Sequence, residues 1–104
     1  MSNPKLTDQE RIEYISQNEH ELTQLAILNR TEHGEGVLFL DLDDTEQVKN
    51  GTIKAMYFTV PFLSQAPQFA DIVAVATHAR AQSSVHFVYN NEAGKSLIIE
   101  KALT

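Results

Sequence analysis

A chain of 104 residues supports one domain with a single core. Its 42% apolar and 21% charged residues exclude a disordered chain. No run approaches the roughly 18–20 apolar residues of a membrane span, and the absence of cysteine removes disulfides, thiol catalysis and thiolate metal sites together. The net charge is −6, and the whole excess lies in residues 1–60, which hold eleven carboxylates against five basic residues. Such a surface repels a phosphate backbone, so no nucleic-acid partner is expected; a basic protein partner fits it better.

The start, MSNPKLTDQERIEY, has no basic segment followed by an apolar one, and a cytoplasmic protein is expected. Residues 1–6 are expected to be disordered ahead of a single α+β domain spanning 1–104. TDQE at 7–10 has the pattern of a capping box, which opens a helix. Ile12 and Ile15 begin an apolar stripe that resumes at Leu22, Leu25 and Ala26. The polar SQNEHE between them leaves two readings open, one helix from 7 to about 30 or two with a break near 17. Gly34 or Gly36 supplies the stop.

GVLFLDL reads as the first strand and DDTEQVKNG as a loop closed by the turn dipeptide Asn50-Gly51. TIKAMYFTV, residues 52–60, is the second strand, ended by Pro61. Ser64 is placed as an N-cap with Pro67 in the first turn of a second helix running to about Gln82. SVHFVYN and KSLIIEKAL are two further strands joined by the turn residues NEAG. The order is α-β-β-α-β-β. The economical arrangement is a four-stranded, mostly antiparallel sheet with both helices packed on one face.

VLFLDLDDTE resembles the first motif of haloacid dehalogenase-like hydrolases, through Asp41, Asp43 and Thr45. The resemblance implies Asp41 as a phosphoryl-attacking nucleophile, Asp43 as acid/base and a magnesium ion between them. It covers about ten residues. Where the family continues into a Rossmann-like domain, this chain continues with a polar turn and another strand, and no later acidic pair follows a strand. The aspartates are therefore read as non-catalytic. EAGKS at 92–96 resembles the end of a phosphate-binding loop, but the required first glycine falls on Tyr89, so it is a hairpin turn. Asp41, Asp43, Asp44 and Glu46 offer only oxygen ligands and no calcium-loop glycine, since Glu46 stands at the sixth position. The histidines, at 20, 33, 78 and 86, have no metal-binding spacing. No metal and no cofactor are expected.

Period-two alternation leaves a second sheet face carrying Val37, Phe39, Ile53, Tyr57 and Val88, too apolar for water. These five are the expected interface. The resulting expectation is a small acidic interaction or adaptor module, a homodimer without catalysis of its own. The alternative is a small hydrolase or ligand-binding enzyme with a site at a dimer cleft, using His78 or His86 with a carboxylate.

Overall fold

The computed structural model describes residues 5–43, 45–51, 53–78 and 84–103. The capping box forms as the sequence implies. Thr7 Oγ1 accepts from the Glu10 N–H at 3.1 Å, and Glu10 Oε1 accepts from the Thr7 N–H at 3.0 Å. It opens helix α1 (Asp8–Gln17). The polar stretch resolves into a break at Asn18, whose Nδ2 donates to the Tyr14 carbonyl at 2.8 Å, and α2 (Glu19–His33) follows. Gly34, at φ 95°, ends α2 in a conformation that other residues rarely adopt. Residues 1–4 lie outside the described part. Leu6 is already in the core, at 1% exposure.

Strand β1 (Gly36–Asp41) is followed by a short helix, α3 (Thr45–Lys49), where the sequence predicts only loop. A helical turn brings Thr45 and Val48, three apart, to the same side, and both are buried. Gly51, at φ 85°, turns the chain into β2 (Lys54–Thr59). Pro61 ends that strand by entering the first turn of another short helix, α4 (Val60–Leu63). Ser64 closes α4 instead of opening the next helix, and its Oγ donates to the Val60 carbonyl at 2.8 Å. A 3₁₀ turn (Pro67–Phe69) leads into α5 (Ala70–His78); the predicted continuation to residue 82 lies outside the described residues. Strands β3 (Ser84–Asn90) and β4 (Ser96–Ala102) form the hairpin that the sequence predicts, with Gly94 at φ 83° in its turn.

The strand order is β2-β1-β3-β4. The outer pairs are antiparallel, but β1 and β3 at the centre run parallel, so the sheet is mixed, not mostly antiparallel. The physical reason lies in the crossover. Strand β2 finishes at the end of the sheet where β1 begins, so a strand entering there beside β1 runs in the same direction.

The second correction concerns the layers, because helices pack on both faces. Against one face, α1 and α2 supply Ile15, Leu22 and Ala26, which meet Leu38, Leu40, Val85 and Phe87. Against the other, Leu63 of α4 and Ile72 and Ala76 of α5 meet Val37 and Val88. Strands β1 and β3 are apolar on both sides, as central strands are, and each side needs its own cover. Gly36 has no room for a side chain, since a Cβ there would run into the Phe58 carbonyl oxygen of β2.

Arg11 is 1% exposed. Its Nε donates to the Leu6 carbonyl at 3.1 Å and its Nη1 to the Asn90 carbonyl at 2.9 Å, and Nη1 lies 3.5 Å from the Asp43 carboxylate. A buried guanidinium persists only with such partners. Here it ties α1 to the loop after β1 and to the end of β3.

Candidate functional site

The register of β1 and β2 settles which side chains share a face. Val37 pairs with Phe58 and Phe39 with Met56, so Phe58 and Met56 stand on the α5 side. Ala55 and Tyr57 stand on the α1–α2 side, with Ile53 packed against the same core. The five residues expected on one open face are therefore divided. Val37 and Val88 are buried under α4 and α5, with Phe39 at the margin of that cluster; Ile53 and Tyr57 are half-buried on the opposite side. A shift of one residue in register moves every side chain of a strand to the other face, and the α3 segment between the strands hides the register from a reading of the turn.

The described part of α5 leaves the outer margin of the sheet uncovered. There Met56 is 62% exposed and Phe62, on α4, 54% exposed. The Phe58 and Phe62 rings stack at 5.3 Å, and Phe39 packs edge-on against Phe58 at 4.9 Å and Phe69 at 5.9 Å. This arrangement carries aromatic surface from the core out to the edge strand β2. Met56, Phe58 and Phe62 do not appear among the five expected interface residues. The signal for Met56 and Phe58 is their two-residue spacing in KAMYFT, which also places Tyr57 on the opposite side.

At the other end of β2, where β1 and β3 terminate, lies a groove of about 610 Å³. Phe39, Met56 and Phe58 form its apolar part, and Asp41, Lys54 and Arg11 stand at its polar end. Asp41 and Lys54 are direct cross-strand partners. Asp41 Oδ1 accepts from the Asp43 N–H at 3.0 Å, and the Asp43 carbonyl accepts from the Thr45 N–H at 3.0 Å. The acidic motif is thus folded into a turn that leads into α3. Asp44 lies outside the described residues, and among those described no three His, Asp or Glu side chains gather as metal ligands.

His86 belongs to β3 on the α5 side, 5% exposed, with Nε2 at 3.3 Å from Oε2 of Glu100 on β4. The cavity beside it, lined by Arg30, Glu35, Ser84 and Tyr57 among others, has about 20 Å³, room for one water. The His78 side chain lies outside the described residues. His20 and His33 are exposed, and His33 Nε2 is 3.8 Å from the Glu32 carboxylate. The Tyr57 hydroxyl donates to the Gly34 carbonyl at 2.7 Å. Burial is the main cause that pushes its pKa up, with Glu35 adding to it and Arg30 opposing it. Among the described residues no helix is long and apolar enough to cross a membrane. Comparison of the chain with protein families, with curated proteins and with solved structures returned no match.

Proposed function

We propose that this chain is a small acidic interaction module that works as a homodimer and has no catalysis of its own. The observation that carries this reading is the exposed Met56–Phe58–Phe62 surface beside the open edge of β2. An edge strand offers unpaired N–H and C=O groups, and β2 carries a charge only at its first residue, Lys54. In a two-fold antiparallel pairing of β2 with β2, the two Lys54 side chains fall at opposite ends and no like charges meet. Met56 of each copy then lies near the axis on the same face.

Burying a large apolar side chain contributes roughly 1.5–3 kcal/mol. Each ladder hydrogen bond adds about 0.5–1.5 kcal/mol, and the freedom lost on association opposes both gains. The like net charges of −6 oppose association, and salt screens them, so the dimer tightens as salt rises. The exposed carboxylates of α1 and α2, among them Glu13, Glu21 and Glu32, remain available to a basic protein partner.

The test is sedimentation of the parent and of Met56→Lys at two salt concentrations. The parent is expected to dimerise at micromolar concentration. The variant should be monomeric and keep its stability within about 0.5 kcal/mol, as a surface substitution does. A parent that stays monomeric across this range would end the dimer reading.

The hydrolase alternative has one observation in its favour, the His86–Glu100 pair. A histidine held by a carboxylate has the geometry of a general base. The cavity next to it takes one water and no substrate, which weighs toward a structural role. His86→Asn separates the two. A hydrolysis of simple esters or phosphomonoesters that vanishes in the variant would favour the enzyme.

A further inference from the structure

We propose that the groove at the Lys54 end of β2 binds a free α-amino acid with a large apolar side chain. Its volume, about 610 Å³, falls within the range of about 300–1,000 Å³ typical of small-molecule sites. The side chains that line it are ordered by the ladder. Phe39 and Met56 are a cross-strand pair, and two residues further along the same face Asp41 and Lys54 are the next such pair. The steps are separated by about 6.6 Å, two residues of strand rise. An apolar platform and a charged pair therefore stand side by side, at a spacing that suits the two ends of an amino acid with an aromatic or long aliphatic side chain.

The charges define the head group. Among the described residues no ion pair joins Asp41 to Lys54. Asp41 Oδ1 accepts one hydrogen bond, from the Asp43 N–H, and a carboxylate has capacity for several. Lys54 is exposed. A ligand with only an anionic head would satisfy Lys54 and meet Asp41 as a like charge. One with only a cationic head would do the reverse. A zwitterion places its ammonium at Asp41 and its carboxylate at Lys54; the other two charges of the lining, Arg11 and Asp43, face each other at 3.5 Å and offset one another. The side chain then lies on Phe39, Met56 and Phe58.

The test is titration of the full chain with L-phenylalanine, 3-phenylpropanoate and phenethylamine, read by calorimetry and by the methyl resonance of Met56. L-phenylalanine is expected to bind saturably and to shift that resonance, with each singly charged analogue at least about tenfold weaker. Lys54→Met should weaken L-phenylalanine and 3-phenylpropanoate and spare phenethylamine. Asp41→Asn should weaken L-phenylalanine and phenethylamine and spare 3-phenylpropanoate. Both positions are exposed, and circular dichroism confirms that each variant is folded. Equal binding of all three compounds would overturn the assignment, as would the absence of any Met56 shift up to about 10 mM L-phenylalanine.

Discussion

Strand β2, at one edge of the sheet, reads KAMYFT, and strand β4, at the other, reads SLIIEKA. Both carry apolar residues on both of their sides, and their lengths are nearly equal. The difference is where the charges stand. In β4, Glu100 and Lys101 fall within the strand, and each is engaged: Glu100 with His86, Lys101 with Glu19 of α2. A second strand approaching β4 would have to meet or displace those charges. In β2 the only charge is at the first residue, and the middle presents Met56 to solvent. Charge within an edge strand blocks pairing, and charge at its end leaves the rest open. The two edges therefore differ in where charge stands along them, not in how many apolar residues they carry.

Both edges hang on the central strands, and the largest effect is expected there. Phe87 on β3 is fully buried, and Phe87→Ala should cost about 3–5 kcal/mol in denaturant unfolding. A smaller loss than that of any edge substitution would mean that the sheet is not held from its centre. The next test transfers the property of one edge to the other. Replacing Glu100 and Lys101 together by Val removes the charges that guard β4. This variant should form species larger than a dimer, visible by light scattering as concentration rises, with about 1 kcal/mol lost from the Lys101–Glu19 pair and about 1–3 kcal/mol from leaving the buried His86 ring without its partner. If it sediments like the parent, charge placement does not distinguish the two edges.

The side chemistry of β2 should also appear in alkali. Burial raises the Tyr57 pKa above its ordinary value of 10.0. Between pH 10 and that raised value the unfolded chain holds fewer protons than the folded one, so stability falls as pH climbs. Below pH 10 the contribution is fully present. Tyr57→Phe should flatten part of this decline in alkaline unfolding curves, leaving the similar contribution of Tyr89 on β3. The smallest effect lies outside the sheet, at the start of α1. The Glu10 pKa is lowered below 4.5 by its hydrogen bonds to the backbone and side chain of Thr7. Its contribution is therefore present above pH 4.5 and fades as pH falls through the lowered value. Glu10→Gln keeps the capping geometry and should remove that acid-side slope from the helical circular dichroism. An unchanged slope would assign it to other carboxylates.

Local signals in the sequence translated well. The capping box at Thr7 and the β3–β4 hairpin depend on contacts within a few residues, and both are where the sequence puts them; the break at Asn18 and the stop at Gly34 each realise one of two readings that the sequence leaves open. The sheet order and the two-sided helical cover depend on pairings between distant segments. Strand β1 shows the difficulty: Val37 and Phe39 alternate with Leu38 and Leu40, both sets apolar, and nothing within the strand says which helix each set meets. Alternation in β2 is just as clear, but its alignment with β1 needs the register. Arg11 stands among the acidic residues of the first helix, where an arginine reads as solvated, yet its partners are the carbonyls of Leu6 and Asn90. The candidate groove was hidden for the same reason, since Asp41 and Lys54 become neighbours only through the ladder.

The Arg11 clamp has a consequence for the order of events during biosynthesis. Its acceptor on Asn90 lies 79 residues downstream. At about 5–20 residues per second, a ribosome needs roughly 4–16 seconds to deliver that residue after Arg11 has been made. Until then the guanidinium cannot enter its final site without leaving a costly buried charge short of a partner. The first helix therefore cannot dock in full while the nascent chain lengthens, and the closing hairpin completes its site. A ribosome-bound chain stalled at residue 80 should leave α1 open to protease and hydrogen exchange. One stalled after the full hairpin has emerged should protect it.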